Sequence, residues 1–200
     1  MVGLNRLSSE QIRDCLVRKS GVTHDIPDQW PASECQQAAV LIPFVQQSDQ
    51  WHLLYIRRAQ HAMDQHGGQV AFAGGKFEAE DKDLKTTALR EAHEEIGLHP
   101  QDVSILGTLN HHHSISRFQI TPVVAQIPWP YRLQPDELEV ARVFTIPLSW
   151  LADPQNHRIE YRELTDRQAF PVVYFDEYDG EILWGATARM TLSLISLLSR

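Results

Sequence analysis

The sequence predicts an α/β (α+β) domain in which a sheet is layered between helices, and three observations predict it. Short β-rich apolar runs recur through most of the chain, an amphipathic helical stretch follows a paired-glycine loop, and the chain closes on a long apolar helical period. Ser8 and Ser9 precede an amphipathic stretch running to about Lys19, a short helix with a serine cap. GVTHDIPDQWPASECQ then holds two prolines and no period, so residues 1–37 are expected to form a helix and an irregular arm, and residues 38–200 the main domain. AAVLIPFV and WHLLYIRR, separated by QQSDQ, suit a hairpin, and QVAFAGG reads as a short strand ending in glycine. Asp83 can cap a helix from Leu84 to about Ile96, with Gly97 as its left-handed stop. VSILGTL, ITPVVAQI and EVARVFTI supply three more strands, and Pro147, Leu148, Trp150 and Leu151 a short helix. HRIEYREL and AFPVVYFD form a late pair of strands, and WGATARMTLSLISLL the terminal helix.

With 42% hydrophobic and 22% charged residues, the chain has the make-up of an ordinary globular protein. Its net charge of −8 argues against a nucleic-acid or membrane-surface binder, which would present a basic face. An anionic substrate stays open, because a divalent metal supplies positive charge that a residue count misses. The two cysteines, Cys15 and Cys35, form no paired motif and are expected to be reduced thiols. No signal peptide and no membrane-spanning run is expected, which points to a cytoplasmic protein.

The chemistry lies in GGKFEAEDKDLKTTALREAHEEIGL, where Glu91, Glu94 and Glu95 crowd together behind Gly74 and Gly75. At about 100° per residue the three glutamates share one arc about 100° wide, opposite Ala88, Leu89, Ala92 and Ile96. Arg90 stands one turn before Glu94 and can pair with it. A solvated acidic face and a metal site both fit this pattern. The acids occupy the last turn, where the macrodipole disfavours negative charge by about 0.3–1 kcal/mol each, so helix stability gives no reason for them. Clustered carboxylates are what hard divalent cations require.

REAHEEIGL, from Arg90 to Leu98, resembles the core of the Nudix box, the signature of hydrolases acting on a diphosphate linked to another moiety. In that pattern a glycine and a glutamate stand where this chain has Lys76 and Lys82; Gly75 and Asp81 each lie one residue earlier, so the loop is one residue longer. Coenzyme A diphosphatases of the Nudix family share that longer loop with an aspartate. LLYIRR followed by GQVAFAGGK resembles their upstream signature, although Ala73 replaces a proline, Arg58 a serine, and Asp64 stands near the expected second arginine. Strands and terminal helix downstream are similar too, so the likeness runs from about Ala38 to the C-terminus.

The resemblance implies a Nudix α/β/α sandwich with a mixed sheet, cleaving coenzyme A or its thioesters to 3′,5′-ADP and 4′-phosphopantetheine or its acyl form. Glu91, Glu94 and Glu95 would hold Mg²⁺ or Mn²⁺, and one of them or a downstream carboxylate, Glu137 or Glu139, would accept the proton of the attacking water. Arg90 would orient the glutamates. Gly74 and Gly75 would admit the phosphates, with Arg57, Arg58 and Lys76 as further substrate contacts. Another nucleoside diphosphate derivative (ADP-ribose, a dinucleotide, a nucleoside triphosphate) is the alternative substrate, and a nucleotide-sensing domain without catalysis the alternative role. The expected partner is a small diphosphate, with a homodimer open. His111, His112 and His113 are expected to form a polar loop and not a zinc site, because neighbours on an extended segment point to opposite faces. Trp150 and Trp184 are expected to be packing residues.

Overall fold

The computed structural model describes residues 3–18, 34–60, 66–114, 116–163 and 169–199; most of the irregular arm and Asp64 lie outside them. β1 (Gln36–Gln47) and β2 (Gln50–Arg58) form the expected hairpin. Only Ser48 and Asp49 separate the strands, both at positive φ (49° and 59°), the turn geometry that matches the right-handed twist of paired strands.

A mixed sheet of eight strands grows on this hairpin. β1 also pairs in parallel with β7 (Phe118–Gln126) and antiparallel with β4 (Gly74–Lys76). β2 pairs with β3 (Val70–Ala71) and β8 (Val140–Pro147), and β7 with β5 (Ser104–Thr108) and β6 (His112–His113). The run QVAFAGG is thus two short strands on different partners.

Helices cover both faces, so side chains alternating along β1 divide between two cores. Ala39, Leu41 and Val45 pack with Ala88, Ala92 and Ile96 of α2 (Leu84–Ile96). Ile42 and Phe44 enter the other core with Ile12 and Leu16 of α1 (Ser9–Arg18), Leu148 and Leu151 of α3 (Leu148–Leu151), and the apolar side of α4 (Gly185–Leu198). This is the α/β/α sandwich that the sequence predicts. Ser8 caps α1 reciprocally: its Oγ accepts from the Gln11 amide at 3.2 Å, and Gln11 Oε1 accepts from the Ser8 amide at 2.8 Å. α1 is also built into the domain, beyond the expected division at residue 38. Its Leu16 fills the space over Gly107, where a Cβ would meet the leucine Cβ at 2.9 Å.

Three further strands, β9 (His157–Glu163), β10 (Ala169–Tyr178) and β11 (Glu181–Trp184), form a second antiparallel sheet in the order β11-β10-β9. The late pair of strands is its β9–β10 hairpin. β11 is an addition, its four residues being too few for alternation to mark a strand. Val173, Phe175 and Leu183 point into the main core, while Phe170, Val172, Tyr174 and Trp184 gather on the other face. Both cysteines are free thiols, and among the described residues no helix is long and apolar enough to cross a membrane.

Candidate active site

α2 has the ends its sequence demands. The Asp83 carboxylate accepts from the Thr86 amide at 2.8 Å, and Gly97 closes the helix at φ 67°. The same helix carries Glu91, Glu94 and Glu95 beneath β4, whose glycines allow the close approach. A Cβ on Gly75 would stand 2.3 Å from Glu91 Oε1, and one on Gly74 would stand 2.4 Å from the Ala39 carbonyl oxygen of β1. One glycine is therefore required by the sheet and the other by a carboxylate.

Arg90 is the hub of the acidic face. Its Nη1 lies 3.0 Å from Glu91 Oε1 and 2.9 Å from Glu94 Oε2, the second being the expected one-turn pair. Its other nitrogens reach Asp81 at 3.1 and 3.2 Å and the Lys76 carbonyl at 3.0 Å, tying the glycine loop to the helix. Asp81 also accepts from the Glu78 amide (3.1 Å) and the Thr87 hydroxyl (2.9 Å). With Arg90 as the largest cause, these bonds hold its pKa at about 2. In sequence Asp81 is visible only as an offset position; here it anchors the lengthened loop.

Glu95 is 2% exposed, and its Oε2 accepts from the Gly74 amide at 3.0 Å while Arg58 Nη1 stands 3.8 Å from Oε1. Burial pushes its pKa up to about 7, the Gly74 amide and Arg58 oppose the shift, and the charges of Glu91 and Glu139 add to it. Burial is likewise the main cause that raises Glu91, with Arg90 opposing and Glu94 and Glu139 adding. Of the two downstream candidates, Glu139 bears a charge that reaches the cluster.

A cleft of about 740 Å³ opens beside the glycine strand, between the large sheet and the outer face of the second sheet. Gly74, Gly75 and Arg58 line it and also touch Glu91 or Glu95, so they are common to the cleft and the acidic face. Lys76 lines it as well, its ammonium 5.7 Å from the Phe118 ring centre. Arg57 is the exception among the expected substrate contacts. Alternation along β2 turns it away from the cleft lining, and its guanidinium pairs at 3.0 Å with the buried Glu181, which also binds Arg142 at 2.9 Å. Trp184, expected to be a packing residue, lines the cleft while stacking on Tyr174; Arg162 and Arg189 line it too, neither singled out as a site residue by the sequence. Trp150 packs against Phe175 and Tyr178.

The expected histidine loop is corrected in part. His112 and His113 form β6 against β7, and His112 is 1% exposed, because pairing at the β7 edge turns alternate residues inward. His111 Nδ1 lies 2.9 Å from the Thr121 hydroxyl. Among the described residues no three histidine, cysteine or acidic groups converge as a preformed metal centre, whether at these histidines or at the glutamates, where Glu94 is drawn onto Arg90 and Glu95 onto Gly74.

A fold with a box helix under a glycine strand defines a class, and comparison with known proteins gives the same one. The NUDIX domain family model matches residues 36–168. The uncharacterized Nudix hydrolase NudL of Enterobacter sp. (strain 638) is 42% identical over 159 residues, 80% of this chain and 81% of that one. Its counterpart in Pectobacterium atrosepticum is 37% identical over 165 residues, 82% and 83% of the two chains. A solved MutT/nudix family protein from Enterococcus faecalis superimposes with a TM-score of 0.50 at 12% identity, covering 96% of this chain and 73% of its own, and so shares the fold. The chain belongs to the Nudix hydrolase family.

Proposed function

We propose that this Nudix hydrolase cleaves the diphosphate of coenzyme A or its thioesters, releasing 3′,5′-ADP and 4′-phosphopantetheine or its acyl form. The observation that carries the reading is the lengthened loop, held by the Asp81–Arg90 pair, which sets Gly74 and Gly75 between the carboxylates and a roomy cleft. The longer loop with its aspartate is the feature this chain shares with coenzyme A diphosphatases.

Nudix hydrolases generally use divalent metal ions, and the donor set here fits one. Glu91, Glu94 and Glu95 offer hard oxygen ligands, and burial, with the neighbouring carboxylates adding, raises the pKa values of Glu91 and Glu95, a cost to their charged forms that a cation would relieve. Mg²⁺ or Mn²⁺ bound there would neutralise diphosphate oxygens and acidify a water molecule. Arg90 orients Glu91 and Glu94 through its two ion pairs, and Glu95 is oriented by the Gly74 amide. Glu95, held by the Gly74 amide, and Glu139, whose charge reaches the cluster, are the carboxylates placed to accept the proton of the attacking water. Gly74 and Gly75 leave the loop backbone unshielded toward the cleft, where Arg58 and Lys76 bring positive charge. Incubation with coenzyme A, ADP-ribose, a dinucleoside polyphosphate and a nucleoside triphosphate, each with Mg²⁺ and with products separated by chromatography, tests the reading. Coenzyme A is expected to be cleaved fastest; faster cleavage of any other member rejects it.

A further inference from the structure

We propose that the outer face of the second sheet is a nucleoside 3′-phosphate subsite, with Arg162 as the residue that selects a 3′-phosphorylated nucleotide and Trp184 as part of its aromatic wall. The identity of the full substrate rests on the coenzyme A reading above; the subsite itself is testable by binding alone.

The register builds this surface. In β9–β10, Arg158 faces Tyr174 and Arg162 faces Phe170, and in β10–β11 Tyr174 faces Trp184. Cross-strand partners share a face, so aromatic rings and guanidinium groups collect on the side of the sheet turned away from the core. The Tyr174 and Trp184 rings lie nearly parallel, 4° apart in plane with centres at 5.8 Å. The Arg158 and Arg162 guanidinium carbons stand 5.3 and 5.2 Å from the Tyr174 ring centre.

The two arginines differ in what neutralises them. Arg158 has carboxylates at 2.8 Å (Glu160) and 3.5 Å (Asp176). Arg162 is exposed, lines the cleft, and has no carboxylate partner among the described residues. No described acidic residue lines the cleft at all, in a chain whose net charge is −8. Positive charge has been gathered here against the overall balance, beside the Phe170 and Trp184 rings that line the cleft. A purine can stack on such a ring, and a forked guanidinium suits a phosphate dianion. An acyl chain would use the apolar wall but bring no counter-charge to Arg162, which has none among the described residues. The cleft is continuous with Gly74 and Gly75, and its volume of about 740 Å³ is that of a small-ligand site, so one ligand can carry a diphosphate at one end and a separate phosphate at the other.

The test is calorimetric titration of the full chain with adenosine 3′,5′-bisphosphate and with AMP. A charge-assisted contact of this kind predicts that the bisphosphate binds about tenfold to a hundredfold more tightly. Arg162→Gln should bind the two nucleotides equally, Arg158→Gln should keep the preference, and Trp184→Ala should weaken both. Equal binding by the unaltered protein, or a preference that survives Arg162→Gln, overturns the proposal. So does acyl-chain length raising thioester affinity while the 3′-phosphate has no effect. Selective binding without coenzyme A cleavage would remove the substrate reading and leave the subsite; cleavage without selectivity would do the reverse.

Discussion

Gly74 and Gly75 are neighbours in one short strand, and alanine at each should fail in a different way. The Cβ of Gly74→Ala would meet the Ala39 carbonyl oxygen at 2.4 Å and the Val40 Cα at 2.6 Å. Both belong to the backbone of β1, which at this point is fixed by its parallel pairing with β7 and cannot yield. Overpacking of this kind costs about 1–3 kcal/mol, and at about 2–4 °C per kcal/mol for a protein of this size the melting temperature should fall by about 2–12 °C. The Cβ of Gly75→Ala would instead meet Glu91 Oε1 at 2.3 Å and Cδ at 2.5 Å, the far end of a side chain that can swing away. A shift of about 1 Å restores ordinary contact, with little loss of stability. It also pulls Glu91 off Arg90, and a displacement of about 1 Å at a catalytic group costs on the order of a hundredfold in turnover. Calorimetric melting and kcat per folded molecule, measured on both variants, separate the two effects. Near-normal turnover in Gly75→Ala, or melting as low as that of Gly74→Ala, would refute the assignment of Gly75 to the carboxylate.

Glu94→Gln and Glu95→Gln should each lower kcat by orders of magnitude with the fold intact, and chelator should abolish activity that Mg²⁺ or Mn²⁺ restores; full turnover in a metal-stripped sample would contradict the cation's role. Glu95 titrates near pH 7 in the folded chain against 4.5 ordinarily, so in metal-free protein it erodes stability as pH rises from 4.5 to 7. Metal-free Glu95→Gln should therefore melt higher than the unaltered protein at pH 8 and lose that advantage toward pH 4.5, which thermal melts across the range can check. Asp81 is depressed, so its contribution is present above pH 3.8 and is lost as pH falls through about 2. Asp81→Asn should cost about 1–3 kcal/mol in urea denaturation at neutral pH, with the gap narrowing in acid.

The parts of the fold legible in the sequence are those where a local rule acts alone. Asp83 and Gly97 mark the ends of α2 because capping needs only a few adjacent residues, and the hairpin is visible because alternation runs through both of its strands. β11 and β6 are too short for any period to show. The split of QVAFAGG depends on which strands its halves meet, a choice made across the sheet. For the site, REAHEEIGL marks the glutamates and Arg90, but Arg57 and Arg58 differ only in register, which β8 and β11 decide. Arg162 carries no motif, and the likeness that spans Asp81 and Trp184 gives neither a place in the site; their places follow from a second sheet and a loop closed by long-range contacts.

The most direct test of the account is mass-spectrometric identification of the products when the unaltered enzyme, with Mg²⁺, is given coenzyme A alone. The account predicts equal amounts of 3′,5′-ADP and 4′-phosphopantetheine, both absent in Glu94→Gln protein and in chelator. Intact coenzyme A after prolonged incubation, from enzyme that cleaves ADP-ribose or a nucleoside triphosphate in the same buffer, would contradict it.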